Sequence, residues 1–534
     1  MKFVILPILI VVTISLNSLT IKDIEFKGNF ITSDQELASV IISYPGMEYD
    51  QKTLLEDMQR IAELYENKGY YLAKIMLPAA IPVSQDELSV QITIKENSQL
   101  PLDQITFTGN TYITTEKLEQ EIKTPLVFLK DLTYYRQELI DYYNQNSFYF
   151  ASMTVENIAL DQDKADLIIR IDEGDYCKFD QSIIRGNKVT QKKTVLQLSR
   201  LNKLDQITPR QLKQAESNLL ARPYIKSCQI MPVNKNTLLY DIEEGHMTAF
   251  SGLIGYDNDA ENEARFTGYI DLDFENLWGT DRSVGFFWEN RQNQHSAVEL
   301  NYHESGWDIP LGADIHLYRE EVDSTWIEVS YDLEVYWFDL YNKAGLYLER
   351  ENIYAGARRP VIIDETSFLK SGVFWSYTVL DHPQNPQSGY FWSLKYYYIW
   401  SKTSDDNSGR QAAEIKAEKI FPVKGRWFFY SGVDIMVIEN KSITEFDRFE
   451  VGGSNSIRGF LEKQFNGFRV GWTNLELRYI LSKEARLSLN FDLGNVENMK
   501  SGNEIIYSLG MGLRTATPLV SYHLILQCQM MIKD

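Results

Sequence analysis

Strict alternation of apolar and polar side chains through the C-terminal half limits what this chain can fold into more than any other feature. In Trp472 to Tyr479, Leu475, Leu477 and Tyr479 fall on one face of an extended strand, and Asn474, Glu476 and Arg478 on the other. Leu487, Leu489, Phe491 and Leu493 against Ser488, Asn490 and Asp492 repeat the pattern. So do Phe266, Gly268, Ile270, Leu272 and Phe274 against Arg265, Thr267, Tyr269, Asp271 and Asp273. No apolar run beyond residue 245 approaches the ~20 residues of a spanning helix. One face meeting lipid and the other water is how transmembrane β-strands read. All ten tryptophans lie beyond residue 245, and indole rings favour the membrane–water interface. The expected fold of residues 246–534 is therefore an antiparallel barrel of about 16 strands at roughly 10 residues each plus turns. A soluble β-sandwich would alternate similarly; the tryptophans, an apolar N-terminus and a glycine-rich arginine loop favour the membrane.

That loop is Phe449-Glu450-Val451-Gly452-Gly453-Ser454-Asn455-Ser456-Ile457-Arg458-Gly459-Phe460. Three glycines flank one cation, so a side-chain-poor loop can press closely on a wall and deliver Arg458 to a fixed partner. Alone, the segment reads equally as a hairpin loop with a solvated arginine. The strands behind it change the balance. Glu476 and Asp492 fall on the polar face, which in a barrel is the lumen, and a charge-assisted pair there is favourable.

Phe449, Gly452-Gly453 and Ser456-Ile457-Arg458-Gly459-Phe460 resemble the loop signature of the outer-membrane assembly and translocation superfamily, whose members include BamA, TamA and the two-partner secretion transporters. Asn474-Leu475-Glu476-Leu477-Arg478 and Phe491-Asp492-Leu493-Gly494 are similar to the strand motifs that follow it there. The resemblance implies that Asp492 is the carboxylate that pairs with the loop arginine. Asp381 with Asn385-Pro386 and Gly389 is similar to the family's mid-barrel turn. Asn276-Leu277-Trp278-Gly279-Thr280-Asp281-Arg282 and Gly510-Met511-Gly512-Leu513-Arg514-Thr515 extend the likeness to the barrel's start and end. One departure is that the last segment, Tyr522 to Asp534, lacks the C-terminal aromatic usual for outer-membrane barrels.

Ahead of the barrel, Lys2 followed by the apolar run Phe3 to Leu16 reads as a secretory signal, residues 1–18. From there to Gly245 the chain repeats. Gly-Asn after an alternating run recurs at Gly28, Gly109 and Gly186, separations of 81 and 77 residues, which is one small domain used three times. The expected bounds are 19–98, 99–175 and 176–245. In the first copy Ser33 to Glu36 has the shape of a capping box, Leu54 to Tyr65 recur at helical spacing, Gly69 ends that helix, and Tyr70 to Leu77 and Leu88 to Lys95 read as strands. The order is β-α-α-β-β, an α+β unit. These units resemble the POTRA domains of the same superfamily, and a count of three is nearer to its TamA-like members. Their exposed strand edges suit capture of extended segments by β-augmentation.

A formal net charge of −21 argues against a nucleic-acid surface. Cys177, Cys228 and Cys528 lack metal-ligand spacing; the first two read either as a disulfide in an oxidising compartment or as buried thiols. Six histidines show no HExxH arrangement and no serine sits in a G-x-S-x-G elbow, so neither an enzyme nor a cofactor is expected. The expected function is insertion of unfolded outer-membrane proteins, with dedicated export of one protein as the alternative. Expected partners are those clients, the bilayer, and a periplasmic or inner-membrane accessory protein. The expected mechanism is a weak seam between the first barrel strand, with Gly252 and Gly255, and the last, with Leu524 and Leu526.

Overall fold

A computed structural model describes residues 19–533 except 71–72, 85, 98–100, 129–130, 162–163, 202–203, 205, 259–263, 292–294, 306–308, 323–324, 357–364, 384, 404–406, 440–445, 483–484, 499–501 and 517–520. The signal segment, 1–18, lies outside the described residues. The chain divides into two compact units, Met1–Cys177 and Lys178–Asp534.

The first repeat runs β1 (Thr20–Lys27), α1 (Asp34–Val40), α2 (Gln51–Asn67), β2 (Lys74–Ile75), β3 (Ala79–Pro82) and β4 (Glu87–Lys95). The second runs β5 (Leu102–Thr108), α3 (Thr115–Glu121), α4 (Leu132–Gln145), β6 (Ser152–Asp161) and β7 (Lys164–Asp172). The third runs β8 (Gln181–Arg185), α5 (Lys192–Ser199), α6 (Pro209–Leu220), β9 (Ile225–Asn234) and β10 (Thr237–Glu244). In each, the last strand takes the centre of the sheet, parallel to the first and antiparallel to the one before it. Alternate residues of the central strand, such as Leu167, Ile169 and Ile171, are buried under the helices' apolar stripe of Tyr135, Leu139 and Tyr143.

The repeated Gly-Asn dipeptide has a physical cause. Gly28, Gly109 and Gly186 have φ of +82°, +83° and +89°, and a Cβ at each would run into the carbonyl oxygen of Ile94, Ile171 or Ile242. The following Asn donates its side-chain N–H to the carbonyl three residues on, at 3.0, 3.1 and 2.9 Å. The loop so formed turns its backbone N–H groups onto one carboxylate at the end of the sheet. Glu173 accepts from Thr111, Tyr112 and Ile113 at 2.7–3.0 Å and from the Tyr143 hydroxyl at 3.0 Å, and Glu96 and Glu244 do the same work in the other repeats.

Burial pushes the Glu173 carboxyl up, but the backbone donors of Tyr112 and Ile113 and the Thr111 hydroxyl outweigh it and hold it below the usual range. A depressed folded-state value makes this stabilisation complete above the unfolded value of about 4.3 and lost as pH falls through the folded one. Glu173→Gln, which turns an amide toward the loop's N–H donors, is expected to destabilise the second repeat by about 1–3 kcal/mol at pH 7. In urea unfolding of the soluble repeats, the gap to wild type should shrink as pH falls below about 4. A pH-independent gap would refute the assignment.

Two local expectations need correction. Of the strand read at Tyr70 to Leu77, residues 71–72 lie outside the described residues, β2 covers Lys74–Ile75, and β3 continues along the same edge of β4. Pro78 has no N–H to give the ladder, so the edge breaks there. The capping box at Ser33 is half made: Ser33 accepts from the Glu36 N–H at 3.3 Å, but the Glu36 carboxylate turns to Lys68 at 2.7 Å. The complete box is at Thr208 and Gln211, where α6 begins. Cys177 and Cys228 are free thiols.

The barrel strands are β11 (Thr248–Asn258), β12 (Ala264–Leu277), β13 (Arg282–Arg291), β14 (His295–Glu304), β15 (Leu311–Val322), β16 (Trp326–Phe338), β17 (Asn342–Ala355), β18 (Thr366–Leu380), β19 (Gly389–Lys402), β20 (Asn407–Lys424) and β21 (Trp427–Ile438). After a long loop carrying β22 (Phe449–Val451) and β23 (Phe465–Gly467) come β24 (Arg469–Ile480), β25 (Ala485–Asn498), β26 (Gly502–Ala516) and β27 (Ser521–Lys533). Fifteen of these, without β22 and β23, form one sheet in which sequence neighbours pair antiparallel throughout. Fifteen strands among the described residues fit the expected barrel of about sixteen, with β11 and β27 at the two edges of the sheet. Among the described residues no ladder joins β11 to β27.

The long loop touches walls far apart in strand order. Phe446 lies 6.2 Å from Trp326 of β16, while Arg458 pairs with β24 and β25. Both contacts from one loop require the sheet to curl around it, with the loop inside. Side-chain exposure agrees: Leu487, Leu489, Phe491 and Leu493 of β25 face outward, and Asn490, Asp492 and Val496 are buried inside. The Asp381 turn is formed as well, with the Asp381 carboxylate accepting from the N–H groups of Gln387 and Ser388 at 2.9 and 3.2 Å.

Candidate functional site

The loop between β21 and β24 folds inward as a short hairpin, Phe449 opposite Gly467 and Val451 opposite Phe465. Gly452 (φ +121°) turns the chain where the Leu461 carbonyl leaves no room for a Cβ, and Gly453 (φ +93°) and Gly459 (φ +92°) continue the turn. The Ser456 hydroxyl closes it by accepting from the Gly452 N–H at 2.8 Å. Val451, Ile457, Phe460 and Phe465 then pack against Val470, Trp472, Val496 and Ile506 of the wall.

Gly494 makes this approach possible, since a Cβ there would run into the Ile457 side chain. Gly494→Val is expected to push the loop off the wall and to destabilise the barrel by about 1–3 kcal/mol. The mobility of unheated protein in denaturing gels, followed against urea, would show it. An unshifted midpoint would mean that the loop does not rest there.

Arg458 is delivered to β24 and β25 by this packing. Its Nε and Nη2 donate to the Asp492 carboxylate at 2.9 and 2.6 Å, its backbone N–H reaches the same carboxylate at 3.0 Å, and Nη1 donates to Glu476 at 2.5 Å. Asp492 is fully buried. Asn474 bridges loop and wall, donating to the Ser456 carbonyl and to Asp492, both at 2.8 Å. Arg478 donates to the second oxygen of Glu476 at 2.7 Å and stacks 4.0 Å from the Tyr430 ring. Two cations thus face two carboxylates, which is the condition for a buried ionic group to be tolerated.

A second buried pair, unanticipated in the sequence, holds the other limb of the loop. Arg410 of β20, fully buried, donates its Nε to Asp447 of the loop at 2.8 Å and its Nη1 to the hydroxyls of Ser401 and Ser408 at 2.9 and 3.1 Å. The loop is therefore clamped twice, once by its own arginine on the wall's acids and once by its own acid on the wall's arginine. The available signal was slight: Asp447 lies between Phe446 and Arg448, with no spacing that points to residue 410.

The Asn276 to Arg282 segment, read only as a family likeness, joins the third repeat to the sheet. It turns β12 into β13 through three non-glycine residues with positive φ, Asn276 (53°), Trp278 (56°) and Asp281 (61°), and through Gly279, which lies beneath the Val189 carbonyl. The Gly279 carbonyl accepts from the Gln191 N–H and the Thr194 hydroxyl at 2.9 and 2.8 Å. Asp281, buried, gathers the Tyr224 and Ser305 hydroxyls at 2.7 and 2.5 Å and the Arg222 guanidinium at 2.9 Å.

The four expected seam residues lie on the two edges. Gly252 and Gly255 of β11 stand opposite Ile270 and Thr267, and Leu524 and Leu526 of β27 opposite Leu513 and Met511. The arginine clamp on β25 is two strands in from β27.

Both the repeats and the sheet match known families. Residues 19–97 and 101–174 match the POTRA family model (surface antigen variable number repeat), and residues 259–525 match the Omp85 superfamily domain. The outer membrane protein assembly factor BamA of Nitratidesulfovibrio vulgaris is 22% identical over 559 residues, covering 94% of this chain and 70% of that one. Among solved structures, CdiB from Escherichia coli is 14% identical with a TM-score of 0.47, covering 91% of this chain and 95% of that one. BamA from Haemophilus ducreyi lacking POTRA domains 1–3 is 14% identical with a TM-score of 0.44, covering 81% and 97%.

Proposed function

Since the chain belongs to the Omp85 superfamily and is a non-enzymatic outer-membrane β-barrel with periplasmic POTRA domains, we propose that it inserts other β-barrel proteins into the outer membrane. Unfolded clients dock on the repeats by β-augmentation, along free edges such as β6. They pass to the barrel seam, where β11 and β27 offer rows of backbone N–H and C=O groups to a new strand. The observation that carries this reading is that pair of edges. Among the described residues no ladder joins them, so either edge can take up a client strand. Gly252 and Gly255 weaken the β11 side. Burial of client backbone and apolar surface drives the step, and no nucleotide is required. The BamA relative, an assembly factor by name, supports the same reading.

The rival is export of one dedicated protein through the lumen. The doubly clamped loop weighs against it, because a lumen route requires two buried ion pairs to be broken before anything passes. Reconstitution separates the two. Proteoliposomes carrying the protein should speed the folding of several unrelated outer-membrane barrels and show little ion conductance. Conductance together with dependence on a single exoprotein would replace insertion by export. Depletion that leaves the barrel proteome intact while an inner-membrane protein co-purifies would reduce the chain to an anchor.

A further inference from the structure

Where the third repeat meets the barrel there is a groove of about 690 Å³. Its floor is apolar, with Leu196 and Leu204 from the repeat and Ile309, Phe338 and Leu340 from the turns at the strand ends. One wall is Trp337, 44% exposed, the last of the outward residues Tyr331, Leu333, Val335 and Trp337 on β16. The groove therefore opens onto the lipid-facing surface at the periplasmic rim, the level at which tryptophan marks the headgroup region.

The charge at its mouth is opposite to that of the chain as a whole. Lys192, Lys193 and Arg200 line it in a protein of net charge −21. The acidic side chain among the lining residues, Asp339, is already engaged by the N–H groups of Tyr341 and Asn342 at 2.8 Å each and by the Asn342 amide at 3.0 Å. The lysines occupy the first turn of α5, the end of a helix where cations are disfavoured, so helix stability does not account for them. Arg200 is held with φ +60°, its guanidinium 4.5 Å from the Phe338 ring and its Nη1 donating to the Asp339 carbonyl at 2.7 Å. Among the described residues its buried Nε has no hydrogen-bond partner.

We propose that this groove binds one anionic phospholipid of the periplasmic leaflet. The phosphate sits against Lys192, Lys193 and Arg200, and an acyl chain follows the apolar floor out past Trp337. Cationic groups over an apolar slot that opens on lipid match the two halves of such a molecule. The bound lipid would fix the third repeat at the membrane surface, a role separate from client insertion and independent of it.

The test uses the full chain in nanodiscs of equal parts phosphatidylglycerol and phosphatidylcholine, with retained lipid counted by native mass spectrometry after extraction. Wild type should keep phosphatidylglycerol in preference to phosphatidylcholine. Lys192→Glu with Lys193→Glu should reduce that preference about tenfold or more. Lys213→Glu with Arg210→Glu, the same charge change at exposed positions of α6, should leave it intact. Equal retention of both lipids by wild type, or an undiminished preference in the double variant, overturns the proposal. Should the double variant fail to fold, a photo-crosslinker at Leu196 in otherwise wild-type protein decides: a lipid adduct upholds the proposal, and a protein adduct alone replaces the lipid by a peptide.

Discussion

Arg458→Ala is expected to destabilise the barrel by about 3–5 kcal/mol, because it removes the guanidinium that meets both the fully buried Asp492 and Glu476. The urea midpoint at which unheated protein loses its compact gel mobility should fall accordingly. Loss of the clamp should also free the loop's tip while Arg410 and Asp447 still hold its other limb. Limited proteolysis should therefore cut near Ser454 to Phe460 before the barrel itself opens. Arg458→Lys should lie between the two, since an ammonium keeps the charge but cannot serve Asp492 through two parallel N–H groups and Glu476 through a third. A wild-type midpoint in the alanine variant would show that the pairs contribute nothing net and would remove the loop from any bracing role.

Closing the seam covalently is expected to abolish client insertion altogether. Cysteine pairs placed between residues 250–256 and 522–530, in a background where Cys528 is serine, would tie β11 to β27. Under oxidation, folding of clients by reconstituted protein should drop to the rate of empty liposomes, and reduction should restore it. Because the barrel wall is untouched, stability should rise or stay level, which separates this loss from unfolding. Full activity of an oxidised, verified cross-link would refute insertion through the seam.

How much of this was legible in the sequence depended on the range over which each feature is encoded. Strand parity is local. Parity placed Glu476 and Asp492 on the polar face, the family resemblance implied that Asp492 pairs with Arg458, and the structure brings the three together. The repeats were legible for a similar reason, since a positive-φ glycine and the asparagine that locks its loop must be adjacent. Arg410 with Asp447 was not legible, because the pair closes across the inside of the sheet and neither residue's neighbours reveal it. Glu36 looked like the reciprocal half of a cap, but Lys68, a helix away, competed for it and won. The role of Asp281 was hidden too, since Arg222 and Tyr224 lie in another domain of the sequence pattern.

The turn through Asn276, Trp278 and Asp281 has a mechanical consequence. It is the cap of the β12–β13 hairpin, and β12 is the strand to which the edge strand β11 is bonded. Because Gln191, Thr194, Tyr224 and Arg222 all grip that cap, torque on the third repeat is delivered one strand in from the gap, as by a handle mounted beside a hinge.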